Sequence, residues 1–393
     1  MQNVNQFLTQ AVGGAKEAIR TGAPKGNLFL ITGNESGDLD SIASALSFAY
    51  LSKQNSTNED LYLPLVNIAQ EDLALRPEAG YVLSEASIDP QFLCYNDTLD
   101  INVLADVFRQ VKLILVDHNK LTYPFTTQED KWASRVSGIL DHHVDEHLYD
   151  CDLFREIKPV GSCSSLTVLH HREILERDNS TELQALAKLV LAPLLVDSVN
   201  LQPQFGRTTE DDKAAAAILK RHVSVDNGKY FDAIQEAKTR IHHLSNRDLF
   251  RKDYKEWETN NGFKIGISHV PWYFEAWAKR EPHNLNSIVD SMHAWAKSRQ
   301  LDLSLIMTSI DRKEEGGYQR ELLAIVYNEK LIDILQQMAD NKEIQLEPLS
   351  GDTNITTSDH PLQAWRQHNT NWSRKQVWPF VKSLVEAKAH NSS

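Results

Sequence analysis

LFLITGNESGDLDS, residues 28–41, decides the fold class. Leu28 to Thr32 is a short apolar run of strand length, broken by Gly33 and Gly37. The loop delivers Asp38 and Asp40 into an apolar-periodic segment, Ser41 to Leu51, that reads as a helix. Further short apolar runs follow between helical patterns: LYLPLVNI (61–68), LILV (113–116) and VSGIL (136–140). Strands that are apolar throughout, separated by helices, belong to a parallel sheet covered on both faces. The expected class is α/β. For LAKLVLAPLLVDS (186–198) periodicity does not separate helix from strand, and length favours a helix despite Pro193.

After Leu201 the pattern changes. QPQFGRTTEDDKAAAAILKRH (202–222) reads as a polar connection into a helix, with Thr208 or Thr209 as N-cap. A second α/β set follows: FKIGISHV (263–270), LDLSLIMTSI (301–310) and ELLAIVY (321–327) as strands, with helices over 286–300 and 328–341. Seven of the eight tryptophans lie after residue 250, bulk enough for a second core. Two domains are expected, 1–205 and 206–393, joined within 201–229.

Bulk properties narrow the function classes. The net charge of −13 disfavours a general nucleic-acid binder. No apolar run reaches the length of a membrane span. Cys94, Cys151 and Cys163 lack CxxC spacing, which argues against a disulfide framework or structural zinc and fits a reducing compartment. The first 22 residues lack the apolar core of a secretory signal, but they are poor in acid and carry Lys16 and Arg20. A cytoplasmic monomer is expected, with a mitochondrial presequence as the alternative reading of that first helix.

Three strands of the first half run into acid or histidine. LFLIT leads to Asp38 and Asp40, LILV to Asp117-His118-Asn119, and VSGIL to Asp141-His142-His143. Ligands of open α/β sheets bind at the carboxyl ends of the strands, so parallel neighbours bring these groups to one edge. Crowded carboxylates repel unless cations lie between them. A D-x-D alone is commonly a turn or N-cap, and His-His pairs such as His170-His171 and His242-His243 are commonly surface. Three such strand ends in order point to a metal site instead. Carboxylate and imidazole without thiolate favour Mg²⁺ or Mn²⁺, with Co²⁺ also compatible. Gly161 to Ser165 precedes a helical pattern and reads as a serine N-cap, with a phosphate nest as the alternative.

GNESGDLDS (33–41), LVDHN (115–119), LDHH (140–143) and LLVDS (194–198) resemble the four motifs of the DHH phosphoesterase superfamily. RKDYKEW (251–257) and SRKQVWPF (373–380) resemble the second domain of its DHHA2 branch, which holds family II inorganic pyrophosphatases, prune-type phosphatases and fungal exopolyphosphatases. The resemblance spans nearly the whole chain. It implies an N-terminal parallel-sheet DHH domain, a C-terminal mixed-sheet DHHA2 domain, and an active site in the cleft between them. By it, Asp38 and Asp117 hold one divalent ion, while Asp40, Asp117, His142 and Asp197 hold a second, Asp117 bridging. His143 faces the substrate phosphate, Asp141 orients an imidazole, and Lys255, Arg374 and Lys375 bind phosphate. His118 is left to packing or support.

Asn34 departs from the commonest pattern, which has a histidine ligand there. Exopolyphosphatase and prune-type members resemble this chain in having asparagine, and NIAQEDLALRPEAGYVL (67–83), with Arg76, resembles the exopolyphosphatase segment. The resemblance thus implies two-metal removal of terminal orthophosphate from inorganic polyphosphate. Asn34 reads either as a weak oxygen ligand or as a loop cap. The rivals are pyrophosphate or short-chain hydrolysis, phosphodiester cleavage as in other DHH branches, and a prune-like interaction protein.

Overall fold

The computed structural model describes residues 2–178, 180–280, 285–312, 317–349 and 359–388. It divides into two compact units, Met1–Arg240 and Ile241–Ser393.

The first unit is built on six strands: β1 Leu28–Thr32, β2 Leu61–Val66, β3 Cys94–Tyr95, β4 Val111–Val116, β5 Val136–Asp141 and β6 Phe154–Ile157. All neighbours are parallel, in the order β3-β2-β1-β4-β5-β6. The order reverses between β1 and β4, so the connections leaving these two strands diverge and open a crevice at their carboxyl ends. Register sharpens this. Thr32 lies beside Leu115, and Val116 beside Leu140, so residues 33–40, 117 and 141–143 leave the sheet at one edge.

The expected helix after β1 forms over Leu39–Gln54, and nearly every side chain from Leu39 to Leu51 is buried. A helix enclosed all round explains why its sequence is apolar with little amphipathic contrast. LAKLVLAPLLVDS is helical, within Glu182–Asp197, and keeps Pro193 inside. This helix packs against Leu39–Gln54. β3 and β6 escaped sequence reading. β3 is two residues long, and β6 is a half-exposed edge without an apolar run. His171 corrects the surface reading of its pair. It is buried, edge-on to Phe48, with its ring nitrogens bonded to the Thr167 carbonyl and the Ser52 hydroxyl.

The division between units at 240/241 lies beyond the expected 201–229 connection. The helix Glu210–Leu219, capped by Thr209 with Asp212 answering as a capping box, packs on the helices Cys163–His170 and Glu182–Asp197. The following helix, Asn227–Lys238, packs on Glu182–Asp197 and Pro77–Glu85. Their apolar faces complete the first core, so neither stands as a linker. Among the described residues, no helix is long and apolar enough to cross a membrane.

The second unit carries a mixed sheet of β7 Tyr254–Glu258, β8 Lys264–Val270, β9 Leu303–Thr308, β10 Ile310–Arg312, β11 Gly317–Val326, β12 Leu346–Pro348 and β13 Leu362–Gln367. The main path is β12-β13-β11-β9-β8-β7, and β10 pairs with β11. Only β8 and β9 are parallel; the rest pair antiparallel. Helix Arg374–Ala387 buries Val377, Val381 and Val385 in this unit's core.

Candidate metal centre and phosphate pocket

Asp117 is the hub of the first unit's site. It is 2% exposed and follows β4 with φ +62°, a left-handed conformation rare for a residue with a side chain. Its N–H donates to the Leu140 carbonyl at 2.9 Å and to Cys163 Sγ at 3.2 Å, which holds the turned backbone. Asp117 Oδ2 accepts from Ser41 Oγ at 2.6 Å and from Asn34 Nδ2 at 2.9 Å, leaving Oδ1 toward His142 Nε2 at 3.2 Å. Strained backbone held by surrounding bonds is a common mark of functional sites.

His142 donates from Nδ1 to the Val160 carbonyl at 3.0 Å, which presents Nε2 to the carboxylates. Metal-binding imidazoles are oriented in this way. Asp141 is fully buried. Its Oδ1 takes His143 Nδ1 at 2.8 Å and the His142 N–H at 2.8 Å, while Oδ2 takes Asn119 Nδ2 at 2.6 Å. It therefore aims the exposed His143 ring. His118 is buried, bonded through Nδ1 to the Val116 carbonyl.

Asp40 is 4% exposed and lies across the N-terminus of helix Cys163–His170. It accepts the N–H of Cys163 at 2.7 Å and of Ser164 at 2.9 Å, and the hydroxyls of Ser162 and Ser164 at 2.8 and 2.6 Å. Ser162 is the N-cap, so the alternative of a phosphate nest in this segment gives way: the donors serve a carboxylate of the same chain. Asp40 Oδ2 also lies 3.9 Å from His142 Nε2. Asp38, the exposed N-cap of Leu39–Gln54, accepts the Ser41 N–H at 3.0 Å.

One side-chain oxygen or nitrogen from each of Asp117, His142 and His143 falls within 4.8 Å of the others. Asp38, Asp40 and Asp197 are joined to this group by their field. Burial, then the charges of Asp40, Asp38 and Asp117, push Asp197 up to about 9. Burial and Asp40 likewise raise Asp117. At His142 burial opposes charge, but the Asp117 hydrogen bond and Asp40 outweigh it and push the ring up to about 10. Carboxyls that resist ionisation around an imidazole that resists neutralisation mark a region of negative potential at this sheet edge. This oxygen-and-imidazole donor set fits a divalent cation.

Asn34 meets this site as a donor. Its Nδ2 faces two acceptors, the Asp117 carboxylate and carbonyl, while Oδ1 accepts the N–H and hydroxyl of Ser36 at 2.9 and 2.5 Å. Two acceptors on one side and donors on the other fix the amide orientation. Arg76 Nη2 donates to the Ser36 carbonyl at 2.6 Å and so pins the same loop.

In the second unit, a pocket of about 440 Å³ is lined by Lys255, Arg320, Arg374 and Lys375 beside Asp253 and Trp378. Lys255 lies on strand β7, not on a helix, and is exposed. Ser373 caps the helix that Arg374 and Lys375 begin, with Gln376 completing a capping box. Arg374 donates through Nη1 to the Asp253 carbonyl at 2.8 Å and through Nη2 to Asp253 Oδ1 at 2.5 Å. His269 Nδ1 lies 3.2 Å from Asp253 Oδ2, and its Nε2 meets Ser309 Oγ at 2.8 Å. Burial alone would raise Asp253, but the His269 and Arg374 hydrogen bonds hold it at about 2. Sequence reading missed Asp253 and His269 because their partners are distant in the chain.

The parallel sheet thus gathers carboxylates and imidazoles that suit a divalent cation at its switch point, and the mixed-sheet unit carries a separate cationic pocket that suits an anion. The chain matches the DHH family, N-terminal domain, over residues 28–194 and the DHHA2 domain over 232–384. It is 28% identical over 386 residues to the exopolyphosphatase PRUNE1 of Homo sapiens, covering 95% of this chain and 78% of the human protein. The Rattus norvegicus exopolyphosphatase PRUNE1 is 28% identical over 366 residues, 92% of this chain and 76% of the rat protein. A manganese-dependent inorganic pyrophosphatase of Methanothrix thermoacetophila is 24% identical over 291 residues, 73% of this chain and 83% of that protein.

Proposed function

We propose that this protein is an exopolyphosphatase, a hydrolase that removes orthophosphate from the end of inorganic polyphosphate. The observation that carries the reading is the pairing of an intact carboxylate-imidazole centre with a pocket of four cationic side chains in one chain. The relatives named for exopolyphosphatase activity support it.

In this reading Asp38 and Asp117 hold one divalent ion and Asp40, Asp117, His142 and Asp197 another, Mg²⁺ or Mn²⁺ serving. Such ions, when bound, neutralise phosphoryl charge and make water available as a nucleophile near neutral pH. Asp117 is fixed by Ser41, Asn34 and its own strained backbone, so its carboxylate is positioned before any ligand arrives. Asp141 keeps His143 Nδ1 occupied, which directs Nε2 outward as a hydrogen-bond partner for a phosphoryl oxygen. Lys255, Arg374 and Lys375 take up the anionic charge of the terminal phosphoryl group as it grows in the transition state. Cytoplasmic residence and a monomeric state belong to the same proposal.

Phosphate release from long-chain polyphosphate, tripolyphosphate and pyrophosphate tests this, each with Mg²⁺ and with Mn²⁺. Chelator-sensitive release from polyphosphate should be much faster than from pyrophosphate. Equal or greater activity on pyrophosphate would remove the assignment in favour of the pyrophosphatase alternative.

Asn34 offers a second measurement. An amide tied to Ser36 and Asp117 leaves the first ion weakly held, and Mg²⁺ should suffice. In Asn34→His an imidazole replaces the amide, so Mn²⁺ should bind more tightly and the Mn²⁺/Mg²⁺ activity ratio should rise. If both quantities stay at their native values on metal titration, position 34 does not reach an ion.

A further inference from the structure

We propose that Arg320 is a phosphate-binding residue, holding a phosphoryl group of the substrate chain in the second unit's pocket. The inference rests on the polyphosphatase reading and extends it to a residue outside the DHH and DHHA2 motifs quoted above.

Arg320 lies on β11, opposite Gln367 of β13, and is only 9% exposed. Its Nε donates to the Thr370 carbonyl at 2.9 Å, and its guanidinium carbon sits 5.1 Å from the centre of the Tyr318 ring. Among the described residues no carboxylate pairs with it. Two other arginines of this unit do have such partners: Arg299 is paired to Glu256, and Arg374 to Asp253. Arginine carries a permanent charge and five donors, and a buried charge without a counter-charge is costly. Asp253, the acid lining the same pocket, makes its contacts to Arg374 and His269 instead.

What Arg320 does share is the pocket itself, with Lys255, Arg374 and Lys375. An anion entering there would meet a planar donor fork already oriented by Thr370 and Tyr318, with little side-chain freedom left to lose. Guanidinium forks of this kind match phosphate oxygens in pairs. A run of linked phosphates presents several such oxygens in succession, so a fourth cation is useful to a polyphosphate chain in a way that it is not to a neutral ligand.

The test uses the 393-residue chain loaded with Mg²⁺, as wild type, Arg320→Gln and Arg320→Lys. Loss of charge-assisted hydrogen bonds should raise the KM of Arg320→Gln for long-chain polyphosphate about tenfold or more. Arg320→Lys should recover part of that. Melting temperature and Mn²⁺ affinity should stay near wild type in both, which a merely structural role would not allow. Calorimetry with tripolyphosphate in the presence of chelator reads binding without turnover and should show the same ranking. A folded Arg320→Gln protein with wild-type KM and wild-type tripolyphosphate affinity overturns the role. So does a pair of variants that lose melting temperature and activity together. If the wild type releases no phosphate from polyphosphate, the hydrolase reading fails by itself. Calorimetry then still judges Arg320, since equal tripolyphosphate affinity in wild type and Arg320→Gln rejects the phosphate contact.

Discussion

Asp117→Ala should lower polyphosphate turnover on the order of 10²-fold or more, with divalent-ion binding weakened in parallel. The proposed bridging role makes this the most damaging single change among the ligands, because one carboxylate serves both ions. In this reading Asp38 and Asp40 each serve one ion, so neither replaces a carboxylate shared by two. The left-handed backbone at position 117 complicates alanine, since a Cβ without a polar partner is disfavoured at φ +62°. Asp117→Asn is the companion variant. Asparagine tolerates that conformation and can still accept from Ser41, yet it lacks the charge. Turnover and Mn²⁺ affinity should fall in both variants, while asparagine should keep the native melting temperature. A folded Asp117→Asn protein with native turnover would sink the bridging role.

Arg374→Ala should produce the next largest loss, a fall in kcat together with a rise in KM, amounting to about 10²-fold in kcat/KM. Loss of kcat is the informative part. A cation that only recruits substrate would change KM alone, whereas one that meets growing charge on the phosphoryl oxygens changes both. Asp253 should act through Arg374. It holds Nη1 with its backbone carbonyl and Nη2 with its carboxylate, so Asp253→Ala releases Nη2 alone and should cost a smaller share of the same activity. Asp253→Asn keeps an acceptor and should recover part of the loss. Native kcat and KM in Arg374→Ala, measured on long-chain polyphosphate, would remove Arg374 from phosphate binding.

Much of this arrangement could be read from the chain because it is local. Leu28 to Leu51 carries its own instructions: an apolar run for a central strand, glycines for the turn, Asp38 as cap, and a helix apolar enough to be enclosed. LILV and VSGIL each run straight into their functional residues, so the sheet edge that gathers Asp117 and Asp141 to His143 follows once the strands are parallel. Ser373 as N-cap of the Arg374–Ala387 helix is another short-range consequence, a side chain answering the orphan N–H groups beside it.

Other features depend on residues far apart in sequence, and local pattern carries no trace of them. Asp40 on the N-terminus of Cys163–His170 joins residues more than 120 positions apart. The turn of Asp117 into left-handed backbone depends on Leu140 and Cys163 accepting its N–H. The first unit ends at Arg240 because helices Glu210–Leu219 and Asn227–Lys238 find apolar faces to cover. Asp253 gained its meaning only when Arg374 arrived 121 residues later, and Arg320 only when folding buried it without an acid. Strand, cap and turn preferences act over a few residues and are written in them. Which charge is left uncompensated, and in whose company, is set by burial and distance, which exist only after the chain has packed.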